Sequence, residues 1–404
     1  MPTGENSEVI TGLISECEHQ AEKPPIVNGE PDRYISMFAV ALKNCLDDPD
    51  EFLEAKSKLS WAIDTKKESQ PFPSSYVFNH IMRIVQMVST HDPDNLHTHN
   101  LSYPFKTQAE WDDQVFSIMS DEEGFKKIAF FMLIWNVGSD IETRAAGPKL
   151  VAHTMQKNRV DSPEEPFTML NVGSARDHTL VMLAENVEFS EVRVDDLGLE
   201  VKQHEFLQKT VNKLLAKDID LSYSCGVDMW PLRDPEWSRY LEACRFYPSE
   251  FHDPKKRFMY GYLEALRDDS TNIDHVTGKY GEDNLDFGQK FSMVVFLTSM
   301  YQNYQDMRRG MFDCAESDLE DYTESEEGKI IVVQDFCEMQ DGSFDHPMDQ
   351  LIFSGPVSKP YTYGTFVYDT SKPELGFQEF ARWNNGRCEI IRPGKLLIEL
   401  CSQK

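Results

Sequence analysis

Basic residues are scarce in this sequence. It contains 40 lysines and arginines against 69 aspartates and glutamates, which gives a formal net charge of −29 at pH 7. So negative a chain repels phosphate backbones and anionic lipid surfaces, which argues against nucleic-acid binding and against docking on a membrane. The charge is compatible with a neutral or cationic small-molecule substrate or with a basic protein partner, and it does not indicate an oligomeric state.

Closely spaced cysteine pairs and long apolar runs are also missing. The eight cysteines are scattered, and no two have the C-x-x-C spacing of a zinc ribbon or a redox-active dithiol. The N-terminus lacks the basic and apolar regions of a secretory signal. The longest apolar run, at 128–137, is about half of the ~20 residues that a membrane span needs. These features predict reduced thiols in the cytoplasm and a buried core helix at that run.

Several catalytic motifs are absent. The sequence contains no G-x-S-x-G, Walker A or H-E-x-x-H pattern, which excludes several hydrolase and nucleotide-hydrolysing classes. His91, His97 and His99, with Asp92 and Asp94, are candidate metal ligands, but their spacing fits no standard zinc pattern. We therefore expect a polar loop at this segment and no metal site.

The chain divides by the periodicity of its apolar residues. Residues 1–30 are polar and contain a Pro-Pro pair, which predicts a loose N-terminal arm. Residues 31–160 have apolar side chains at helical spacing, which predicts a helical N-terminal domain. Residues 161–404 alternate between short apolar runs and helical segments, which is typical of a parallel sheet with helical crossovers. Helices of the N-terminal domain are predicted at 34–45, 77–88, 110–118, 124–137 and 145–157.

The short apolar runs predict the strands of the sheet. They lie at 169–172, 192–194, 221–227, 293–297 and 329–333. Helices are predicted at 199–215, 236–246, 254–266 and 307–319. The tail, at 363–368 and 388–400, predicts an antiparallel pair at the sheet edge without a helix between its members. The expected fold is α/β, a Rossmann-like sheet carrying a helical N-terminal domain.

Glycine or acidic and polar residues follow four of these strands. The first strand ends in the turn Gly173-Ser-Ala, the second at Asp228, the third in Thr298-Ser-Met-Tyr, and the fourth at Asp335. Ligands of open α/β sheets bind beyond the carboxyl ends of the strands, so we expect these residues at one edge. A turn that ends a strand and opens a helix also presents backbone N–H groups to a ligand.

This layout resembles that of class I S-adenosylmethionine-dependent methyltransferases. In that family the glycine turn approaches the methionine part of the cofactor, and an acid after the second strand holds the ribose hydroxyls. The resemblance implies a class I methyltransferase-type sheet, with S-adenosylmethionine bound by Gly173, Ser174, Ala175 and Asp228. The planar fork of Arg144 is a further candidate for the cofactor carboxylate, with a structural ion pair as its alternative.

Three other side chains are candidates for the acceptor side of the site. The resemblance implies that Thr298 and Tyr301 bind a small-molecule methyl acceptor, with Tyr301 and His178 as the catalytic candidates. His178 follows the glycine turn and would serve as a general base if it faced the cleft. A packing or capping role at the start of a helix is the alternative for this histidine.

Several sequence blocks are similar to those of a methyltransferase-like domain family known mainly from bacteria, over roughly residues 34–400. The most specific block is Gly226-Val-Asp-Met-Trp-Pro-Leu-Arg-Asp-Pro-Glu-Trp, which matches the family's G-I-D-x-x-P-L followed by D-P and W. The block around Arg144 and the strand leading to Gly173 match less closely.

Two positions depart from that family's pattern. Its acid before Val-Gly is Asn171 here, and the last glycine of its turn is Asp177. Asp177 places a negative charge where the cofactor carboxylate would lie, so we expect Arg176 or Arg144 to pair with one of the two. These changes leave two alternatives to a methyltransferase: a non-catalytic methyltransferase-like binding protein, and an enzyme that uses S-adenosylmethionine for another reaction.

Overall fold

The computed structural model describes residues 8–27, 30–48, 51–69, 74–92, 95–99, 103–134, 142–158, 167–187, 192–195, 200–231, 234–319, 329–354 and 360–402. The chain divides into two compact units. The first comprises Met1–Ser139 and Arg233–Met259, and the second comprises Asp140–Leu232 and Tyr260–Lys404. The first unit thus ends at Ser139, before the predicted division at residue 160, and it also includes the later segment Arg233–Met259, which the sequence did not predict.

The described helices lie in both units. In chain order they are α1 (Glu8–Glu22), α2 (Arg33–Asp47), α3 (Leu53–Ser69), α4 (Ser74–Thr90), α5 (Gln108–Ser120), α6 (Glu122–Ile134), α7 (Ala146–Asn158), α8 (His178–Ala184), α9 (Val201–Leu215), α10 (Pro235–Arg245), α11 (Pro254–Asp269), α12 (Gln305–Asp318) and α13 (Lys395–Ser402). Among these described helices, none has both the length and the apolar character that crossing a membrane requires.

The described strands vary from two to ten residues. They are β1 (Ile26–Val27), β2 (Glu30–Pro31), β3 (His91–Asp92), β4 (Asn95–His99), β5 (Phe167–Val172), β6 (Arg193–Val194), β7 (Leu221–Asp228), β8 (Ile273–Thr277), β9 (Met293–Leu297), β10 (Ile330–Met339), β11 (Leu351–Phe353), β12 (Tyr363–Asp369), β13 (Phe377–Trp383) and β14 (Ile390–Pro393). The antiparallel pair β3 and β4 replaces the predicted polar loop. Its side chains lie outside the described residues.

The helical unit begins earlier than the sequence predicts. Helix α1 buries Ile10, Leu13 and Cys17, which are spaced to lie on one helical face. This face packs against α2 and α4. The prediction of a loose arm is therefore wrong for Glu8–Glu22, because a short apolar stripe is enough to hold the helix in the unit.

Buried polar side chains of α4 hold the later segment in the helical unit. Arg83 and Gln86 both donate to the carbonyls of Ala243 and Phe246, at the C-terminal end of α10, with Gln86 Nε2 at 3.1 Å from each oxygen. The last carbonyls of a helix have no partner within the helix, so these bonds satisfy groups that would otherwise be buried unpaired. Tyr103 completes the arrangement by donating to Gln86 Oε1 at 2.8 Å.

The second unit contains a central, mostly parallel sheet. Strands β8, β7, β5, β9 and β10 lie side by side in that order and are parallel. Numbered along the chain, these five strands have the order 3-2-1-4-5 of a Rossmann sheet. The sequence prediction that β5, β7, β9 and β10 are neighbouring parallel strands is confirmed, and so is the α/β, Rossmann-like fold class.

The sheet continues beyond β10 in antiparallel fashion. Strands β12, β13 and β14 follow one another, and β6 pairs with β14 in parallel at the far edge. The predicted strand at 388–400 is correct only for Ile390–Pro393, and α13 occupies most of the remainder. Pro393 cannot donate to a ladder, and Gly394 approaches the carbonyls of Glu379 and Phe380 closely, so the strand ends there.

One face of the sheet forms the main apolar core of the second unit. Alternate residues of β5, β7, β9 and β10 pack there with α12 and the β12–β13 pair, including Leu170, Val227, Phe296, Val333 and Phe312. Full burial of such side chains stabilises by about 1.5–3 kcal/mol each. The opposite face carries Asn171, Gly226 and His275 in register across three adjacent strands.

Candidate functional site

Two loops meet at the point where the strand order reverses, between β5 and β9. The glycine turn (residues 173–177) follows β5, and the threonine loop (residues 298–304) follows β9. In open α/β sheets the crevice at such a switch point is the usual ligand site.

The glycine turn is bonded to the end of β7. The N–H groups of Gly173 and Ser174 donate to the carbonyl of Val227 at 2.9 and 3.1 Å. The N–H of Ala175 donates to Asp228 Oδ2 at 3.0 Å. The turn therefore uses its first three N–H groups to attach itself to the neighbouring strand.

Asp228 lies beside the glycine turn at the carboxyl end of β7. Its second oxygen, Oδ1, accepts from the N–H of Trp230 at 3.3 Å. The residue is half-buried, and burial raises the pKa of its carboxyl group to about 6, against the opposing effect of these two hydrogen bonds. The structure brings Asp228 to the turn, as the topology predicts, while its role toward a ribose stays a prediction.

Asp177 closes the turn in a left-handed backbone conformation, with φ of 61°. Its carboxylate lies over Gly226, contacts His275 Nδ1 at 3.1 Å and pairs with Arg267 Nε at 3.6 Å. Neither Arg176 nor Arg144 is among these partners of Asp177, and the expectation that one of them pairs with the cofactor carboxylate stays a prediction. The side chain points under the turn, where β8 and α11 supply its partners.

Three consecutive residues of the turn and α8 contact one face of α11. Besides the pair between Asp177 and Arg267, Arg176 Nη1 pairs with Glu264 at 2.9 Å, and the ring of His178 lies 5.6 Å from that of Tyr260. Tyr260, Glu264 and Arg267 are spaced to share a helical face. His178 is 0% exposed, so its ring is packed inside the unit, and its proposed role as a base stays a prediction.

The threonine loop packs directly against the glycine turn. A side chain at Gly173, where φ is 74°, would lie 2.8 Å from Ser299 Cβ, so only glycine fits beside this loop. Thr298 is also left-handed, with φ of 56°, and its Oγ1 lies 2.6 Å from the hydroxyl of Tyr363. Thr298 therefore faces β12 with its hydroxyl.

Asp335 and Arg308 hold the threonine loop through its backbone, Asp335 at the N–H groups and Arg308 at the carbonyls. Asp335 Oδ2 accepts from the N–H groups of Met300 and Tyr301 at 2.8 and 3.0 Å. Arg308 donates to the carbonyls of the same two residues at 2.8 and 3.3 Å. Asp335 is fully buried, and burial raises its pKa to about 6.

Tyr301 is predicted to bind the substrate and to take part in catalysis. Its side chain is 6% exposed, and its ring centroid lies 5.7 Å from that of Phe336.

Arg144 is buried in a 3-10 segment, Glu142–Ala145, and contacts the β12–β14 side of the sheet. Its Nε donates to the carbonyl of Gly386 at 2.6 Å, and its guanidinium lies 5.4 Å from the ring centroid of Tyr363. Gln334 donates to its carbonyl at 2.8 Å. Its role as a carboxylate ligand stays a prediction.

The structure thus gathers Gly173, Ser174, Ala175 and Asp228 at one spot, with the Thr298 loop adjacent. Sequence reasoning missed His275, Arg267, Ser299 and Arg308, which fix these loops. Strand β8 was not predicted, so nothing in the sequence indicated where His275 would lie. Across the described residues, no three histidine, cysteine, aspartate or glutamate side chains are grouped to hold a metal.

No protein-family model matches the chain, and no curated protein matches it. One similar solved structure is S-adenosylmethionine-bound CalS10, an amino pentose methyltransferase from Micromonospora echinaspora involved in calicheamicin biosynthesis. It is 10% identical, with 58% of this chain and 73% of that chain covered and a TM-score of 0.24. At so low a TM-score we draw no support from it for fold or activity. The fold class rests on the strand order, and the resemblance to the bacterial domain family stays a prediction.

Proposed function

We propose that this protein is an S-adenosylmethionine-dependent methyltransferase that acts on a small molecule. The observation that carries the proposal is the strained pair of loops at the switch point of a Rossmann-like sheet. Ala175, Asp177 and Thr298 all have positive φ there, between 53° and 61°. Each such residue costs about 1–3 kcal/mol, and strain of this kind concentrates at ligand sites.

The acceptor capacity of Asp228 fits the ribose of the cofactor. A carboxylate offers about four hydrogen-bond acceptor positions. The described chain uses two of them, for the N–H groups of Ala175 and Trp230. Two positions therefore remain for the hydroxyl groups of a ribose, while Ser174 and Ala175 lie beside them.

The cofactor would supply an electrophilic methyl group on a sulfonium centre. Methyl transfer depends on alignment more than on proton transfer, so the chain's task is to hold two reactants in position. The rigid mounting of the threonine loop by Asp335 and Arg308 suits that task. The burial of His178 does not count against the proposal, because no general base is essential to it.

A non-catalytic binding protein is the second candidate, and a specific observation favours it. The N–H groups of Gly173, Ser174 and Ala175 already have partners within the protein. Ser299 also occupies the space next to Gly173. A turn with these properties has lost donors that a cofactor would use, unless binding rearranges it.

Calorimetric titration of the full chain with S-adenosylmethionine, and with its demethylated product, separates the two candidates. We expect saturable binding, weakened about 5- to 150-fold by Asp228→Ala, which corresponds to the 1–3 kcal/mol of a charged hydrogen bond. Asp306→Ala is the matched control, because that side chain is 98% exposed. A folded protein that binds neither compound would exclude the methyltransferase and leave the non-catalytic candidate.

The same titration has a predicted pH dependence. Burial raises the pKa of Asp228 to about 6. Protonation below that value removes acceptor positions from the carboxylate, so the affinity should fall between pH 7.5 and pH 5. In Asp228→Asn the affinity should be low at both pH values. An unchanged affinity of the natural protein at pH 5 would exclude the ribose role of Asp228.

We further propose a cytoplasmic location and no nucleic-acid or membrane partner. The cysteines with described side chains are free thiols, and all of them except Cys314 are buried, which supports a reducing compartment. The net charge of −29 supports the absence of polyanionic partners.

A further inference from the structure

A buried group of polar side chains lies on the sheet face beneath the glycine turn. Asn171 of β5 stands in register with Gly226 of β7. A methyl group at Gly226 would overlap Asp177 Oδ1 and would lie 2.6 Å from Ser174 Oγ, so Asp177 Oδ1 fills the space above Gly226 and Ser174 Oγ lies beside it. Asn171, Ser174 and Asp177 are 1%, 5% and 0% exposed. We refer to these three side chains as the Gly226 pocket.

Two of the three side chains have unsatisfied hydrogen-bonding groups. Within the described chain, neither amide atom of Asn171 nor the hydroxyl oxygen of Ser174 has a hydrogen-bond partner. Both oxygens of Asp177 contact His275 Nδ1, Oδ1 at 3.3 Å and Oδ2 at 3.1 Å, and Oδ2 also pairs with Arg267. A buried polar group without a partner costs about 1–3 kcal/mol, and such groups in proteins commonly bind an ordered water.

We propose that the Gly226 pocket binds one ordered water molecule. Its two hydrogens are donated to Asn171 Oδ1 and to the Asp177 carboxylate, and its oxygen accepts from the hydroxyl of Ser174. Three such bonds are the usual number for a buried water. A monovalent cation suits the three oxygens less well, because Arg267 already supplies positive charge to Asp177.

The water has a structural consequence for the turn. It connects β5, through Asn171, with both ends of the segment that contains the left-handed residues Ala175 and Asp177. It therefore helps to fix the glycine turn in its strained conformation. The inference does not rest on the proposed methyltransferase function, because it concerns the free protein.

The sign of a stability change tests the proposal. Asn171→Leu keeps the side-chain shape and removes both amide groups. If the pocket is dry, this change removes unsatisfied polar atoms and should raise the midpoint of thermal unfolding. If the water is present, it loses a partner, and the midpoint should fall by about 2–4 °C. Asn303→Leu, which removes a direct bond of 2.8 Å to the Ser299 carbonyl and a weaker contact of 3.7 Å with Met311 Sδ, calibrates the loss of direct hydrogen bonds.

A high-resolution crystal structure of the full chain provides the direct measurement. We expect a density peak within hydrogen-bonding distance of Asn171, Ser174 and Asp177, and its loss in Asn171→Leu. An unfilled pocket together with a raised unfolding midpoint would overturn the proposal. An anomalous peak at this position in crystals grown with thallium would also overturn it, in favour of a cation.

Discussion

At the scale of single residues, two aspartates have equivalent tasks on either side of the switch point. Asp228 bonds the glycine turn from β7, and Asp335 bonds the threonine loop from β10. Both carboxyl groups have a pKa raised to about 6 by burial. Burial of each carboxylate therefore lowers the stability of the unit, while its hydrogen bonds fix a loop. This pattern is expected where loop geometry matters for function.

Gly226 tests how closely the turn is packed on the sheet. In Gly226→Ala the new methyl group would overlap Asp177 Oδ1, whose carboxylate is buried and paired. We expect the free energy of unfolding to fall by about 1–3 kcal/mol or more, the usual cost of overpacking. Chemical denaturation of the full chain measures this loss.

Gly261→Ala is the matched control for that change. Gly261 lies inside α11, and a methyl group there would have no neighbour within 4 Å. Alanine in a helix interior is favoured over glycine by about 0.5–1 kcal/mol, so this variant should be more stable than the natural protein. Equal effects of the two substitutions would contradict the packing described for Gly226.

At the scale of elements, burial decided what the sequence could predict. Strands β5, β9 and the first part of β10 are buried on both faces, so they are nearly continuous apolar runs that stand out in the sequence. Strand β8 is an edge strand with the sequence Ile-Asp-His-Val-Thr, which carries no such signal. Because β8 was missed, His275 could not be foreseen as the partner of Asp177.

For the predicted site, the sequence indicated which residues lie close together but not the direction of their side chains. Topology placed Gly173, Asp228 and Thr298 at one edge, because the carboxyl ends of parallel strands coincide there. The direction of each side chain depends on contacts with elements distant in the sequence, such as α11 for Asp177. Arg233–Met259 likewise belongs to the helical unit because of contacts with side chains of α4, and no local sequence pattern predicts those contacts.

The attachment of α10 to α4 gives a prediction at this scale. Gln86→Leu would leave the Tyr103 hydroxyl without its acceptor and would remove two bonds to the carbonyls of Ala243 and Phe246. We expect a loss of about 1–3 kcal/mol and faster hydrogen exchange of the α10 amides, because the buried Tyr103 hydroxyl would lack its acceptor and Arg83 alone would still bond the two carbonyls.

The same substitution at an exposed helical position controls for the change of side chain. Gln203 is exposed on α9 in the second unit, so Gln203→Leu should change stability by no more than about 0.5 kcal/mol. If Gln86→Leu were equally mild, or if it left exchange in α10 unchanged, the polar contacts would not be what holds that helix.

At the scale of the whole molecule, charge opposes compactness. The net charge of −29 is spread over a chain of 404 residues. Many of the ion pairs in the described chain are exposed, such as Lys126 with Glu122, and exposed pairs contribute only about 0–1 kcal/mol each. Repulsion among the excess acidic groups should therefore outweigh the attraction of these pairs at neutral pH.

This balance predicts that salt stabilises the protein. Raising the ionic strength from about 0.01 to 0.1 M shortens the Debye length from about 30 to 10 Å, which screens distant repulsion more than contact pairs. We expect the midpoint of thermal unfolding at pH 7.5 to rise by about 2–4 °C for each kcal/mol of repulsion removed. Sodium chloride and choline chloride should act alike, because screening does not depend on the cation's identity. A midpoint that falls with added salt would mean that attractive pairs dominate, and a rise with sodium alone would indicate a bound ion instead of screening.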